Sequence, residues 1–288
     1  MSSKPVIIVS GKNGQLGSEL FDIAGSYPQF DFHFFDSKAL DISNEQQAAD
    51  IFASLKPAYF INCGAYTAVD KAETEREKAL AINGDGVGLV AALCSRYNTK
   101  LVHVSTDYVF NGAGTTPYKE TGTTDPVNYY GYTKLLGETL ALQKNEHTII
   151  IRTSWVYSTY GNNFVKTMIR LMKERPEIKV VADQVGSPTY ALDLAKAIMD
   201  IITCPAGFTP GIYHFSNEGI ISWYDFAVAI KEGKQLNSIV HPIPTTAYPT
   251  PAKRPAYSVM SKEKIAGTFG IKLKNWKDSL DECLAKMD

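Results

Sequence analysis

The sequence has little of what marks secreted, membrane-spanning or nucleic-acid-binding chains. Its 288 residues include only four cysteines, Cys63, Cys94, Cys204 and Cys283. They lie far apart with no C-x-x-C pair, which argues against a disulfide frame or a zinc site and suits reduced thiols in a cytoplasmic protein. Neither sign of charge dominates: 29 Lys and Arg face 30 Asp and Glu, with no long block of either. Nucleic acid and an anionic membrane surface are therefore not expected as main partners. Long hydrophobic runs are missing too. The opening MSSKPVIIVSG has four consecutive apolar residues before Ser10, against roughly 7–15 in a secretory signal. No run nears the ~20 apolar residues of a membrane span, so a soluble protein is expected.

What is present is alternation. Short β-rich runs at 6–10, 30–35, 58–62, 101–105 and 148–153 are separated by amphipathic stretches near 15–26, 44–55, 73–97 and 129–144. Several runs are apolar on both faces, as strands of a covered parallel sheet must be. The pattern predicts a doubly wound parallel α/β sheet of the Rossmann type. Beyond 153 the regularity loosens. NNFVKTMIRLMKE, ALDLAKAIMDII and SWYDFAVAIKEG read as helices, the last with Ser222 as N-cap, and IKVVA and GIYHFS read as strands. The stretch 241–257 holds five prolines, too many for a helix or central strand. It is read as an ordered loop over a site, with a plain surface connection as the alternative.

The first motif with a mechanism is VIIVSGKNGQLGSEL. A strand ends at Ser10, glycines follow at 11, 14 and 17, and a helix opens at once. Gly11 permits a tight turn, Gly14 lets backbone N–H groups approach a pyrophosphate, and Gly17 lets the helix lie close to the sheet. Asn13, Gln15 and Leu16 of the same loop are further candidate cofactor contacts. Glycines also punctuate ordinary turns, but here the triplet directly follows the first strand. Asp36, 19 residues beyond Gly17, stands where a carboxylate binds the adenosine ribose. It tilts the expected cofactor, NADH or NADPH, towards NADH, while Lys38 could tolerate a 2′-phosphate. Asp41, next to Ile42, could face the adenine end or cap the helix that follows.

The second motif is NYYGYTK. At about 100° per residue, Tyr130 lies only ~40° around a helix from Lys134, while Tyr129 and Tyr132 lie ~140° and ~160° away. Only Tyr130 shares the lysine's face. An ammonium nearby would pull a phenol of ordinary pKa ≈ 10 towards neutrality. Such a phenol can hand a proton to an oxygen that gains charge as hydride arrives. LVHVSTDYVFNG adds a hydroxyl, Thr106, at the C-terminal end of the fourth strand, the edge along which ligands bind in such sheets. A lone Y-x-x-x-K is often coincidence; three features in this order on these elements are not.

On the glycine loop, the Thr106/Tyr130/Lys134 set and Asn83 in LAINGDG, the chain resembles the extended short-chain dehydrogenase/reductase family. Within it, the blocks INCGAYTAVDKAE, VSTDYVFNG, YYGYTKLLGE, RTSWVYSTYGNNFVKTM, DQVGSPT and AYPTPAKRP resemble the branch that acts on a dTDP-linked 4-keto-6-deoxy sugar. The resemblance runs from residue 10 to 255. It implies a Rossmann domain (residues 1–153 and about 190–220) and a smaller C-terminal substrate-binding domain (about 154–189 and 221–288). It also implies reduction by NAD(P)H of the C4 ketone of dTDP-4-dehydro-L-rhamnose to dTDP-L-rhamnose, for surface polysaccharide.

By the same resemblance, Tyr130 is the acid, Lys134 tunes it and holds the nicotinamide ribose, and Thr106 binds the C4 oxygen. Gly64, Ala65, Tyr66 and Asn83 lie by the cofactor; Val69, Asp70, Asp107 and Tyr108 border the sugar. Trp155 belongs to the sugar pocket or to the core, Asp70 to the sugar or to a helix cap, and Asn163 and Arg254 to the nucleotide end. The Thr-Asp-Glu run of related dehydratases here reads Thr106-Asp107-Tyr108, which fits reduction without elimination. Some relatives bind a divalent cation, but no carboxylate cluster supports Mg2+ or another metal here. A homodimer is left open. The rival readings are another nucleotide-sugar 4-ketoreductase or an epimerase, or a dinucleotide-binding regulatory subunit of the methionine adenosyltransferase β type.

Overall fold

The computed structural model describes residues 4–287; Met1–Ser3 and Asp288, which the domain boundaries above include, lie outside the described residues. The first half runs β1 (Val6–Ser10), α1 (Gln15–Ile23), β2 (Asp31–Phe35), α2 (Glu45–Leu55), β3 (Tyr59–Asn62), α3 (Val69–Ala72), α4 (Arg76–Leu80), α5 (Gly86–Arg96), β4 (Lys100–Thr106), α6 (Tyr129–Lys144) and β5 (Thr148–Thr153). The second half runs β6 (Val156–Tyr157), α7 (Phe164–Glu174), β7 (Glu177–Val181), β8 (Val185–Gly186), β9 (Thr189–Tyr190), α8 (Ala191–Thr203), β10 (Gly211–His214), β11 (Ile221–Ser222), α9 (Trp223–Gly233), β12 (Ile239–Ile243), α10 (Glu263–Phe269) and α11 (Trp276–Ala285).

Six strands form one sheet in the order β2-β1-β3-β4-β5-β10, every pair parallel. Successive side chains on a strand face opposite ways, so each central strand must be apolar on both sides. Ile7, Val9 and Ile149 pack with Leu20 of α1 and Ile198 of α8, while Ile8 and Ile150 pack on the other face with Phe52 of α2 and Val90 of α5. The chain leaves β1 towards β2 on one side and returns to β3 on the other. Ligands of such sheets bind in the crevice this reversal opens at the carboxyl ends of the strands.

The second core gathers Tyr157, Met168, Tyr190, Phe226 and Leu280 around the two-stranded sheets β6/β9, β7/β12 and β8/β11. α8 and β10 return to the large sheet. So does α10: Ile265, Phe269 and Ile271 pack with the sheet core, although the sequence boundary at 221 puts them in the smaller lobe.

The helix expected over 73–97 is broken into α4 and α5 by a π-turn at Ala81–Asp85. The turn brings Asn83 to the loop after β3, a tertiary contact that periodicity does not reveal. In the proline-rich stretch, His241–Ile243 complete β12, which among the described residues pairs only with β7; Pro242 is tolerated because this sheet has two strands and so only edges. The rest is loop with one 3-10 turn, Thr245–Ala247.

Candidate active site

A cleft of about 740 Å3 runs along the carboxyl ends of the strands, from Asp36 and Asp41 past Gly11 and Gly14 to Tyr130 and Lys134. Gly11 has φ +75°, and a Cβ there would stand 2.8 Å from the Cys63 carbonyl carbon; only glycine fits the turn. Gly14 starts α1, whose first-turn N–H groups have no helical acceptor and suit an anion. Asn13, Gln15, Leu16, Ile42, Gly64 and Ala65 also line the cleft. The Asp36 carboxylate accepts from the N–H groups of Lys38 (3.0 Å) and Ala39 (2.9 Å). Those bonds, Ala39's foremost, hold it below its ordinary pKa. Asp41 accepts from Ser43 N, and the cap of α2 falls to Asn44.

α6 begins where the sequence predicts because the Asn128 side chain accepts from Gly131 N (2.8 Å). Gly131 matters as well: a Cβ there would collide with the Tyr108 carbonyl, so glycine lets the helix start abut the end of β4. Tyr130, Lys134 and Glu138 follow at four-residue spacing on one buried face. Tyr129 and Tyr132 pack against each other instead (centroids 5.6 Å).

The electrostatics depart from expectation. Burial pushes the Tyr130 phenol up, and its hydrogen bond with Thr106 only partly offsets this. The Lys134 ammonium points elsewhere, donating to the Val104 carbonyl (2.8 Å) and facing His103 Nε2 at 3.3 Å. Burial lowers Lys134 to about 8, with Glu138 opposing. A phenol that stays protonated is what an acid in the reductive direction needs. Thr106 Oγ1 donates to Asp107 (3.0 Å) and accepts from Tyr108 N (3.2 Å), so donating to a ketone requires it to turn from Asp107. Burial pushes the Asp107 carboxyl up to about 6, against the Ser258 and Thr106 hydroxyls.

The remaining candidates divide. Val69, Asp107, Tyr108 and Trp155 line the cleft. Tyr108 stands edge-on to Tyr130, and Trp155 stacks on Trp223 with centroids 3.6 Å apart, so it serves pocket wall and core together. Asn83 is buried away from the cleft; it accepts from Tyr66 N (2.9 Å), donates to Tyr66 O (3.0 Å) and reaches Thr133 (3.3 Å). It acts as a brace between the Gly64–Tyr66 loop and α6. The Asp70 carboxylate takes the Arg254 guanidinium (2.7 Å) and Ala252 N (3.1 Å). Asn163 caps α7 and donates to Gln15 Oε1 (2.9 Å), which places it behind the glycine loop. The cleft wall also includes Ser10, Thr153, Ser154, Gly161 and Asn162, which the sequence reading did not single out. The signal for three of them was their place at strand ends. Among the described residues no group of three or more His, Cys, Asp or Glu side chains could hold a metal, and no helix is long and apolar enough to cross a membrane.

A family model described as the RmlD substrate binding domain matches residues 5–288. The chain belongs to this family. It is similar to the dTDP-4-dehydrorhamnose reductase of Aggregatibacter actinomycetemcomitans (42% identical, covering 95% of this chain and 96% of that protein). It is equally similar to the spore coat polysaccharide biosynthesis protein SpsK of Bacillus subtilis strain 168 (42%, 96% of each). Among solved structures, the dTDP-4-dehydrorhamnose reductase of Bacillus anthracis strain Ames in complex with NADP superposes with a TM-score of 0.94 at 40% identity, covering 99% of this chain and 100% of that one.

Proposed function

We propose that this chain is a dTDP-4-dehydrorhamnose reductase, reducing the C4 ketone of dTDP-4-dehydro-L-rhamnose to dTDP-L-rhamnose for polysaccharide synthesis. The observation that carries the reading is that Tyr130, kept protonated by burial, opens into the same cleft as the glycine loop. The residues fit a dinucleotide: the Gly11 turn leaves no room for a side chain, and the Asp36 carboxylate is held where ribose hydroxyls would meet it. NADH or NADPH, when bound, supplies the hydride. Tyr130 gives its proton to the ketone oxygen, and Lys134 keeps one ammonium N–H for the nicotinamide ribose beyond those facing Val104 and His103. Tyr108 and Trp155 wall the sugar. The Arg254 guanidinium, held by Asp70 and beside Tyr108, reaches for the diphosphate. Asp36 tilts the preference to NADH, with NADPH accepted. We take the Rossmann domain and the smaller lobe as cofactor and substrate halves.

The test is turnover of purified protein with dTDP-4-dehydro-L-rhamnose and either reduced cofactor, read as loss of cofactor absorbance. An epimerase would consume no net cofactor. A regulatory subunit of the methionine adenosyltransferase β type would show no turnover and tight binding to another protein. Either result overturns the reading.

A further inference from the structure

Beneath the cleft, three adjacent strands present polar side chains in one row. The parallel register pairs Ser10 of β1 with Asn62 of β3, and Asn62 with His103 of β4, so all three project from the same face of the sheet. Their side chains are linked: Ser10 Oγ to Asn62 Oδ1 at 2.7 Å, Asn62 Nδ2 to His103 Nδ1 at 3.1 Å, and His103 Nε2 to Lys134 Nζ at 3.3 Å. Asn62 and His103 are sealed from solvent. Both ends of the chain, Ser10 beside the glycine loop and Lys134 beside Tyr130, line the cleft. A row kept only to satisfy buried polar groups need not emerge at two functional points.

The chain has two self-consistent orders. With Ser10 donating to Asn62 and the Asn62 amide donating to Nδ1, the ring proton sits on Nε2 and must be given to Nζ. That needs a lone pair, and only the neutral amine has one. An ammonium has donors alone, so Nε2 must accept and the ring proton must move to Nδ1. Asn62 must then turn its amide oxygen to the ring and its NH2 to Ser10, a rotation that keeps the side chain's shape. We propose that His103 is a positioning residue for Lys134, and that the Ser10–Asn62–His103 chain reverses its hydrogen-bond order with the charge of that lysine. His103 itself stays neutral in both orders, since burial first and the Lys134 charge second hold it well below its ordinary pKa.

The other charged or titratable groups facing this region are Glu138 on α6, tied to Arg152 of β5, Tyr130 on the same helix face, and Asp107, whose charge bears on Tyr130. Burial disfavours the ammonium and Glu138 only partly offsets it, which lowers the lysine to about 8. Both orders are therefore within reach near neutral pH. The consequence for the reaction proposed above is that Lys134 keeps its place whichever charge it carries as Tyr130 gives up and regains a proton.

The test reads the His103 ring nitrogens by 15N NMR in the wild-type protein without substrate, below and above the Lys134 midpoint. The expected result is a neutral ring that moves its proton from Nδ1 to Nε2 as the lysine loses its charge. In parallel, His103→Leu should lower kcat about tenfold and move the alkaline limb of its pH profile down by about one pH unit, because the ammonium loses an acceptor. His103→Gln, whose amide can offer either oxygen or NH2, should restore the limb. One unchanging tautomer, or a folded His103→Leu enzyme with the wild-type profile, overturns the proposal. The NMR arm needs no turnover, so loss of the sugar-reductase reading would leave it standing.

Discussion

The sheet side of the cleft and the segments 156–163 and 252–254 beyond it place their groups by different means. On the sheet side, Ser10, Asn62, His103 and Thr106 stand where strand register puts them. Tyr130 and Lys134 share a helix face clamped to β5 by the Glu138–Arg152 pair, both partners fully buried, with contacts of 2.7–3.1 Å. On the other side the links run between side chains. Gln15, Glu19 and Asp22 occupy one face of α1 and meet Val156 O and Asn163, Ser158 and Tyr160 respectively. The Asp70–Arg254 pair, with Asn128 donating to Lys253 O, clasps the proline-rich loop. Apart from the buried Glu19–Ser158 contact, these bonds are partly exposed and each worth little. On the function proposed above, chemistry would belong to the rigid side and recognition to the adjustable one.

Changes on the rigid side should be the most damaging. Tyr130→Phe removes the proton donor with almost no change of shape, so kcat should fall about 10²–10⁴-fold while NADH affinity, measured by fluorescence titration, stays within about twofold. Unchanged turnover would refute the acid assignment. Glu138→Ala leaves Arg152 buried without its counter-charge and should cost about 3–5 kcal/mol of stability in denaturant melts. A loss below about 1 kcal/mol would mean the helix is held by packing alone.

Asp107 gives a pH-dependent contrast. Its folded pKa of about 6 lies above the ordinary carboxylate value, so the native state binds more protons than the unfolded chain between those values. Its contribution is present below pH ~4 and lost as pH rises through about 6, on the order of 2–3 kcal/mol. Asp107→Asn should flatten that slope in melts taken across the window. An identical slope in the variant would remove Asp107 as its source.

The sequence was most legible where a local rule governs. β1, β3, β4 and β5 stand out because strands covered on both faces are mostly apolar, the edge strand β2 stands out by its phenylalanines, and α6 starts on its expected residue because Asn128 can cap it. The glycine loop and the Tyr130/Lys134 spacing are likewise local geometry. What could not be read depends on contacts across the chain. Asn83 meets Tyr66 through a π-turn that interrupts an otherwise regular helical pattern. Asn163 is expected at the nucleotide end, and the fold places it instead as the cap of α7 behind the glycine loop. His103 in LVHVS and Asn62 in YFIN are polar residues within apolar strands, a visible signal, but their alignment into one row needs the register. Lys134 does not pull Tyr130 down as its place on the helix suggests, because spacing along a helix fixes a shared face, not where a long side chain ends.

The smallest effects belong to the clasp. Asp70 is half exposed and Arg254 only partly so, and the pair holds a loop without crossing the core. Asp70→Asn keeps a hydrogen-bonding group for Ala252 N but removes the charge that orients Arg254. Stability should change by less than about 1 kcal/mol, kcat should hold, and KM for the nucleotide sugar should rise about three- to tenfold. Arg254→Ala should raise KM at least as much, since it removes the guanidinium proposed to meet the diphosphate. The double variant should resemble Arg254→Ala alone, because Asp70 acts through the arginine. If instead the two effects add, each side chain meets the substrate on its own, and Asp70 returns to the sugar's border where the sequence resemblance placed it.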